Sequence, residues 1–218
     1  MKKLIFIIVA LATLTAQAQK KERPIVIIRF GFHSTNVKVN DPDKLGTSAE
    51  WHFKYAVETI LPIIKMKNDQ IIGFNPGISY SKTGYKSENN FLQSSKTSYI
   101  SLQLPITYFN SGGSSIFLGA GPFINYALSG THQTVYNAPF TKSTFGNSIN
   151  DDRKPFDAGL EFKVGKILPD FIAGSKNGIL AGLQSNIGLI DLTPNDKKPT
   201  AKSYLYLRSF DIYTAIVF

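Results

Sequence analysis

The chain has 218 residues, no cysteine and a formal net charge of +9 at pH 7. The absence of cysteine excludes a disulfide scaffold, a thiolate metal site and a lipid anchor attached through an N-terminal cysteine. The basic excess is scattered through polar stretches, whereas a nucleic-acid-binding protein would cluster it on one face.

The first residues have the pattern of a secretory signal peptide, which we assign to residues 1–18. Two lysines precede an apolar run over 4–12, and Ala16-Gln17-Ala18 supplies a small-residue cleavage site. A membrane-spanning helix needs about 20 apolar residues, so this run is too short to be one. We therefore expect an exported protein whose single mature domain is 19–218.

The mature chain is divided into short stretches of alternating apolar and polar residues, which is the period of a β-strand. Such a strand crosses a membrane in about 9 to 11 tilted residues and gives only a weak hydropathy signal. There are eight of these stretches, at 25–35, 50–63, 70–82, 97–109, 115–129, 155–167, 178–191 and 203–218. The pattern predicts an all-β fold, an eight-stranded antiparallel up-and-down transmembrane β-barrel.

Alternation is clearest in the last stretch. Its apolar face consists of Tyr204, Tyr206, Phe210, Ile212, Thr214, Ile216 and Phe218. The connections between stretches also alternate in length: the first, third, fifth and seventh are long, the second and fourth are short, and the sixth breaks the rule. Long outer loops and short inner turns are typical of outer-membrane barrels.

Alternation does not say which face points outward, so a soluble lipocalin-like barrel that carries a small apolar ligand is an alternative. Aromatic residues near the strand ends favour the membrane, because they resemble interfacial girdles: Trp51, Tyr80, Tyr99, Phe109, Tyr126 and Tyr204. The chain also ends on an apolar strand, where Ile212, Ile216 and Phe218 are candidates for a signal read by the barrel-assembly machinery. These features predict an outer-membrane location in a Gram-negative bacterium.

The glycine- and proline-punctuated strands resemble the PorT-like outer-membrane β-barrel proteins, related in architecture to OmpA-type and OmpX-type eight-stranded barrels. The resemblance spans the mature chain and is carried by Arg29-Phe30-Gly31-Phe32, by 73–80, by 99–106, by 117–122 and by the Phe218 terminus. It implies the barrel fold. The family namesake is a factor in protein secretion, a role that we do not transfer.

The polar face would then line the lumen and bring charges of both signs together. The residues concerned are Arg29, Lys54, Glu58, Asp157, Glu161, Lys163 and Asp211, with Gln103, Asn125, Gln184 and Asn186 beside them. An eight-stranded barrel is just wide enough for side chains to fill. We expect a hydrogen-bonded plug rather than an open pore, with a narrow polar channel or relay as the alternative.

Recognition is then expected in the outer loops. The longest, 131–154, carries Tyr136, Phe140 and Phe145, a composition suited either to docking a protein or glycan or to folding over the barrel mouth. Asp151 and Asp152 in the same loop are expected to be a solvated charge pair.

The sequence gives no positive sign of an enzyme. His33, His52 and His132 have no metal-site spacing, and we expect them in loops or at the interface. No Ser/His/Asp grouping can be placed together, so no catalytic residue, metal or other cofactor is predicted, although a lipid-modifying barrel enzyme remains an alternative. The expected contacts are membrane lipid, the assembly machinery during insertion, and a protein or glycan at the loops.

Overall fold

The computed structural model describes residues 24–39, 47–66, 70–87, 94–110, 116–133, 138–148, 150–168, 178–195 and 205–218. The predicted signal peptide lies outside the described residues, as do Tyr136 and Tyr204. Within the described part of the chain, no helix is long and apolar enough to span a membrane.

The described residues form eleven strands. Their bounds are β1 Ile25–Val39, β2 Thr47–Lys65, β3 Gln70–Phe74, β4 Gly77–Ser87, β5 Ser94–Gln103, β6 Ile106–Asn110, β7 Ile116–Gln133, β8 Thr141–Lys142, β9 Phe156–Leu168, β10 Gly178–Gly188 and β11 Leu205–Val217. All pairings between these strands are antiparallel.

These strands make eight barrel strands, as predicted. β2 pairs with both β3 and β4, so β3 and β4 together are one interrupted barrel strand. β7 pairs with both β5 and β6, so β5 and β6 together are another. The interruptions fall at Pro76 and Pro105, which have no N–H to donate, yet their carbonyls still accept bonds from Thr59 (3.0 Å) and Asn75 (2.9 Å). β1 pairs with both β2 and β11, which closes the barrel, and β8 is an extra strand on the end of β7.

The two ends of the barrel differ, and we call them the turn end and the loop end. At the turn end the last residue, Phe218, pairs with Val26 through backbone hydrogen bonds of 2.9 and 3.3 Å, and β2 turns into β3 with a Met66 to Gln70 bond of 2.8 Å. The loop end carries the long connections, including β8.

Alternation places the apolar face outside, as predicted. The aromatic side chains of this face stack across neighbouring strands: the ring centroids of Phe32 and Phe53 are 4.9 Å apart, and those of Tyr126 and Phe156 are also 4.9 Å apart. On β11, Phe210 and Ile212 are exposed, whereas Asp211 between them is buried. A barrel with this apolar outer surface needs an apolar environment around it.

Two of the predicted outward positions are wrong. Tyr99 and Phe109 are 1% and 6% exposed and point into the lumen. Tyr99 has the same parity as Ser101, and Phe109 the same parity as Thr107, so the pleat turns them inward although both lie near strand ends. Parity also fails at Leu61 on β2, which is 7% exposed where the ladder slips beside it at Pro62.

Candidate functional site

The middle of the lumen holds a network of charged and amide side chains, which we call the charge cluster. Six of its members carry charge and three carry a neutral polar group: Arg29, Lys54, Glu58, Glu161, Lys163, Asp211, Gln103, Gln184 and Asn75. All nine are at most 5% exposed. Alternation aims eight of them inward from the strands, Asn75 lies between β3 and β4, and closure of the barrel brings all nine together.

Glu58 on β2 is the centre of one half of the charge cluster. Its Oε1 is 2.7 Å from a guanidinium nitrogen of Arg29 and 3.0 Å from Nζ of Lys163, and Asn75 donates to its Oε2 at 3.1 Å. Glu161 lies 3.5 Å from the same Lys163 nitrogen. Two cations and two carboxylates from three barrel strands, β1, β2 and β9, therefore share one polar core.

Asp211 on β11 is the centre of the other half. Lys54 donates to its Oδ2 at 2.6 Å, and its Oδ1 is hydrogen-bonded to Nδ1 of His33. The second ring nitrogen of His33 bonds to the hydroxyl of Thr35 at 2.8 Å. The expectation that His33 lies in a loop or at the interface is wrong, because it is 3% exposed and faces the lumen.

Arg29 connects Glu58 to the amides. It donates to Gln184 and, at 3.1 Å, to Gln103, and its guanidinium carbon is 4.8 Å from the ring centroid of Tyr213. Gln184 in turn donates to Glu161 at 2.9 Å. Three cationic and three anionic groups balance within this cluster, which matters because buried charge is tolerated only when it is paired and hydrogen-bonded.

Asp157 is the one predicted lumen charge that lies apart from the charge cluster. Its Oδ2 accepts a bond from Asn125 at 3.1 Å, while its buried Oδ1 has no hydrogen-bond partner among the described residues. It borders a cavity of about 20 Å³, room for one or two water molecules. The lining is largely polar: His33, Thr35, Lys54, Ser81, Thr83, Ser101, Phe123, Asn125, Asp157, Asn186, Leu207 and Ser209.

Toward the turn end the lumen becomes apolar, which alternation alone did not reveal. The side chains that fill it form the lower apolar cluster: Ile27, Ile60, Ile71, Phe109, Phe117, Ile167, Leu180, Tyr213, Ala215 and Val217. Phe117, Ile60 and Leu180 are at most 1% exposed. This cluster lies between the charge cluster and the turn end.

Toward the loop end a second group, the upper apolar cluster, fills the lumen, and the loop between β7 and β9 packs on it. Its members are Tyr85, Tyr99, Ala127, Leu192 and Leu207, with Phe145 packed against them. Phe145 therefore folds inward, whereas Phe140 is 50% exposed, with Nζ of Lys96 5.6 Å from its ring centroid.

The same loop inserts Arg153, which is 5% exposed, into the barrel mouth. Its guanidinium donates to Ser95 and lies 5.9 Å from the ring centroid of Tyr85. Burial alone would lower the pKa of Arg153, but the nearby hydroxyls of Tyr85 and Tyr99 raise it above its usual value, so it stays charged.

Asp151 and Asp152 are bonded within the loop rather than simply solvated. Asp152 accepts a bond from the backbone N–H of Thr144 at 2.7 Å, and Asp151 accepts one from the N–H of Ser148 at 2.9 Å. Both carboxylates thus hold turns of the loop that covers the mouth.

A second polar group surrounds His132 at the end of β7. Its Nδ1 is 3.2 Å from Oγ of Ser143 and 3.4 Å from Oδ2 of Asp152, and its Nε2 is 2.9 Å from Oγ1 of Thr141. No sequence pattern predicts that these residues lie together. They come into contact because β8 folds back on β7, where His132 pairs with Thr141.

His52 lies on β2 where its pairing with β4 slips by one residue, between Ala49 and Lys54. It is half-buried, 3.5 Å from Glu50, and both side chains fill the space left by Gly84. In the part of the chain that the structure describes, no group of three His, Asp or Glu side chains has the arrangement of a metal site.

Comparison with known proteins gives a family. The family model for the outer membrane protein beta-barrel domain matches residues 16–193. No curated protein matches the chain.

Several solved structures are similar at low identity. Ail of Yersinia pestis in complex with the heparin analogue sucrose octasulfate is 10% identical, with a TM-score of 0.47 over 90% of this chain and 100% of that one. Neisserial surface protein A is 12% identical, with a TM-score of 0.46 over 90% and 98%. OprG of Pseudomonas aeruginosa is 9% identical, with a TM-score of 0.44 over 90% and 97%.

The family model covers most of the chain, and the barrel has the apolar exterior and polar lumen that such a domain requires. This protein belongs to the outer-membrane β-barrel domain family and resides in the outer membrane of a Gram-negative bacterium.

Proposed function

We propose that this barrel has a lumen closed by its own side chains, and that it has a structural or interaction role carried by its extracellular loops. The charge cluster is the observation that supports this most directly. Its salt bridges join Arg29 of β1, Glu58 of β2 and Lys163 of β9 across the lumen at 2.7 and 3.0 Å. Distances this short leave no room for a solute between the strands.

The layers on either side support the same proposal. The lower apolar cluster lies on the turn-end side and the upper apolar cluster on the loop-end side, and the cavity near Asp157 holds only about 20 Å³. An ion crossing the lumen would have to pass two apolar layers and one fully paired charged layer. These layers argue against a narrow polar channel or relay, because such a path would have to cross both apolar clusters.

A lipocalin-like carrier would need an apolar pocket inside a polar exterior. This barrel has the opposite arrangement, because the cavity lining is largely polar and the large apolar side chains face outward. The outer-membrane location argues against that alternative as well.

We propose that the protein is not an enzyme. The hydroxyl and carboxylate groups around His132 have to be compared with a catalytic triad. A catalytic triad has the nucleophile on one ring nitrogen and the carboxylate on the other, and the ring must accept the proton of the nucleophile. Here the hydroxyl of Thr141 lies 2.9 Å from Nε2 and also donates to the backbone carbonyl of His132 at 3.2 Å, and Nδ1 faces both Ser143 at 3.2 Å and Asp152 at 3.4 Å. The backbone carbonyl thus engages the Thr141 hydroxyl, which supports a role in attaching β8 to β7 rather than a role as nucleophile.

Short turns face the periplasm and long loops face outward in barrels of this kind, which assigns the loop end to the cell exterior. Phe140 is the best-supported loop contact for a protein or glycan because its ring is half exposed, whereas Phe145 is used to pack the loop on the barrel. A photo-crosslinking residue at position 140 should form covalent adducts with the protein or glycan partner on intact cells. The same residue at position 145 is the matched control and should give none.

Two finer assignments belong to the same proposal. The segments around Gly73, Tyr99 and Phe117 support a place among the PorT-like barrels, without the secretion role of that namesake. Ile212, Ile216 and Phe218 support an assembly signal, because Ile212 and Phe218 are about half exposed on one outward face of the terminal strand. Phe218→Ser should lower the amount of folded protein in cells and leave refolding into detergent unchanged; an equal loss in both would assign Phe218 to stability instead.

Conductance tests the closed lumen. The protein refolded into planar bilayers should give no current steps, and liposomes that contain it should not swell in small sugars. A porin prepared in the same way is the positive control. Ohmic steps, or swelling that scales with the amount of folded protein, would refute the proposal.

A further inference from the structure

Four exposed lysines stand together on the outer wall near the loop end, and we call them the lysine face. They are Lys82 and Lys86 on β4, Lys96 on β5 and Lys142 on β8. All four are exposed, so alternation directs them sideways from the barrel rather than into its mouth.

The strand register brings these lysines close to one another. Lys96 pairs with Gly84, which lies midway between Lys82 and Lys86, and on its other side Lys96 pairs with Thr131, which pairs with Lys142. Neighbouring strands are about 4.8 Å apart and alternate residues about 7 Å apart, which places the other three backbones within about 10 Å of Lys96. Lysine side chains can span that distance to a shared ligand.

The lysine face keeps a positive balance. Its bonded carboxylate is Glu50, which lies 3.3 Å from Nζ of Lys86. Glu50 is largely enclosed, with a side-chain exposure of 14% against 61% for Lys86. Among the described residues, Glu50 is thus the carboxylate bonded to the lysine face, and Lys86 is the lysine that it compensates.

The position of the lysine face along the barrel axis indicates which part of the membrane it contacts. Immediately below it on the same strands, the outward side chains are apolar or aromatic: Tyr80 and Ile78 on β4, Ile100 on β5, and Tyr126 and Leu128 on β7. Lys82 is the next outward position after Tyr80. The outward side chains therefore change from apolar to basic within one pleat of the strand. This change is expected at the boundary between acyl chains and headgroups, where aromatic side chains mark the interface.

Polar and aromatic groups complete the surface. The hydroxyl of Tyr80 donates to Ser98 at 3.2 Å, Thr131 is exposed between two of the lysines, and the ring of Phe140 lies beside Lys96. Amines bind phosphate, hydroxyls bind sugar oxygens, and an exposed ring can pack against a sugar face or an acyl chain.

We propose that the lysine face binds the phosphorylated sugar headgroup of a glycolipid in the outer leaflet. A soluble polyanion is the competing partner for any basic patch, but the lysine face is directed sideways and continues directly into the apolar band. A lipid fits both the lysine face and the apolar band, because its phosphates contact the lysines while its acyl chains contact Ile78, Ile100 and Leu128. This proposal does not depend on whether the lumen is closed.

The test uses the full-length refolded protein and measures bound glycolipid by native mass spectrometry from detergent micelles. The probe is bis-phosphorylated lipid A, and its dephosphorylated form is the comparison. The variant Lys82→Gln/Lys96→Gln/Lys142→Gln removes three charges and keeps Lys86 with its Glu50 partner. Each lysine near an anionic headgroup is worth about fivefold in affinity, so the triple variant should bind roughly a hundredfold more weakly.

Lys65→Gln/Lys166→Gln is the matched control, because both lysines are exposed at the turn end. Its affinity should equal that of the original chain, and heat-dependent gel mobility should show that every variant is folded; if the triple variant is not, Lys96→Gln alone should still lose about fivefold. Unchanged binding by the folded variants, or equal binding of the dephosphorylated probe, would overturn the proposal. Lysine-dependent binding of soluble heparin without lysine-dependent binding of lipid A would assign the face to a soluble polyanion and overturn it too.

Discussion

Glu58→Gln is the substitution that most sharply tests the charge cluster. Glu58 is 2% exposed and bonds to Arg29 at 2.7 Å, to Lys163 at 3.0 Å and to Asn75 at 3.1 Å. The substitution keeps the size of the side chain but removes a negative charge that two buried cations share. Breaking a buried ion pair from one side costs about 3 to 5 kcal/mol.

The remaining contacts set the expected loss within that range. After the substitution Arg29 keeps its bond to Gln103 at 3.1 Å, and Lys163 keeps Glu161 at 3.5 Å. The free energy of unfolding should therefore fall by about 3 kcal/mol, the lower end of the range. Lys163→Gln added to Glu58→Gln should cost less than the sum of the two single changes, with a coupling of about 1 to 2 kcal/mol.

The chain carries its own probe for this measurement. Trp51 is its single tryptophan and is 54% exposed on the lipid-facing surface, so its emission changes when the barrel leaves the bilayer. Reversible urea unfolding from phospholipid vesicles, followed by this emission, gives the free energy for each variant.

Asp157→Asn is the matched control, because Asp157 is buried in the same lumen but lies outside the charge cluster, and within the described part of the chain its side-chain partner is Asn125, at 3.1 Å. It should change the free energy of unfolding by about 1 kcal/mol or less. A loss below about 0.5 kcal/mol for Glu58→Gln, or an equal loss for both variants, would refute the view that the charge cluster holds the strands together.

Three further outcomes follow from the packing of the barrel. Gly159→Ala should prevent normal assembly, seen as loss of the heat-shifted gel band, because its Cβ would lie 1.9 Å from the carbonyl oxygen of Ile187; Gly119→Ala, with its nearest neighbour at 3.4 Å, should retain that band. Arg153→Met should leave the barrel folded but speed proteolysis within the loop before β9, since the side chain loses Ser95 and the ring of Tyr85; an unchanged cleavage rate would show that the loop is held by other contacts. Brominated acyl chains should quench the emission of Trp51, and absence of quenching in the folded protein would contradict an outward, lipid-facing position for this residue.

The sequence by itself determined the strands and the face on which most side chains lie. Alternation is a local property, because successive side chains of a strand point to opposite sides wherever the pleat is unbroken. The parity of β11 put Asp211 inside and Phe210 outside from the sequence alone, and the lengths of the connections indicated which end carries the loops. These inferences need no knowledge of which strands meet across the barrel.

The tertiary structure decided which lumen residues touch. Arg29, Glu58 and Lys163 come from β1, β2 and β9, and their contacts depend on the stagger of the strands around the closed barrel, which no single segment encodes. The same stagger left Asp157 beside the cavity and brought His33 to Asp211. The apolar and charged layers lie at different depths along the barrel axis. Sequence parity does not contain this depth, so only the tertiary structure separates the layers.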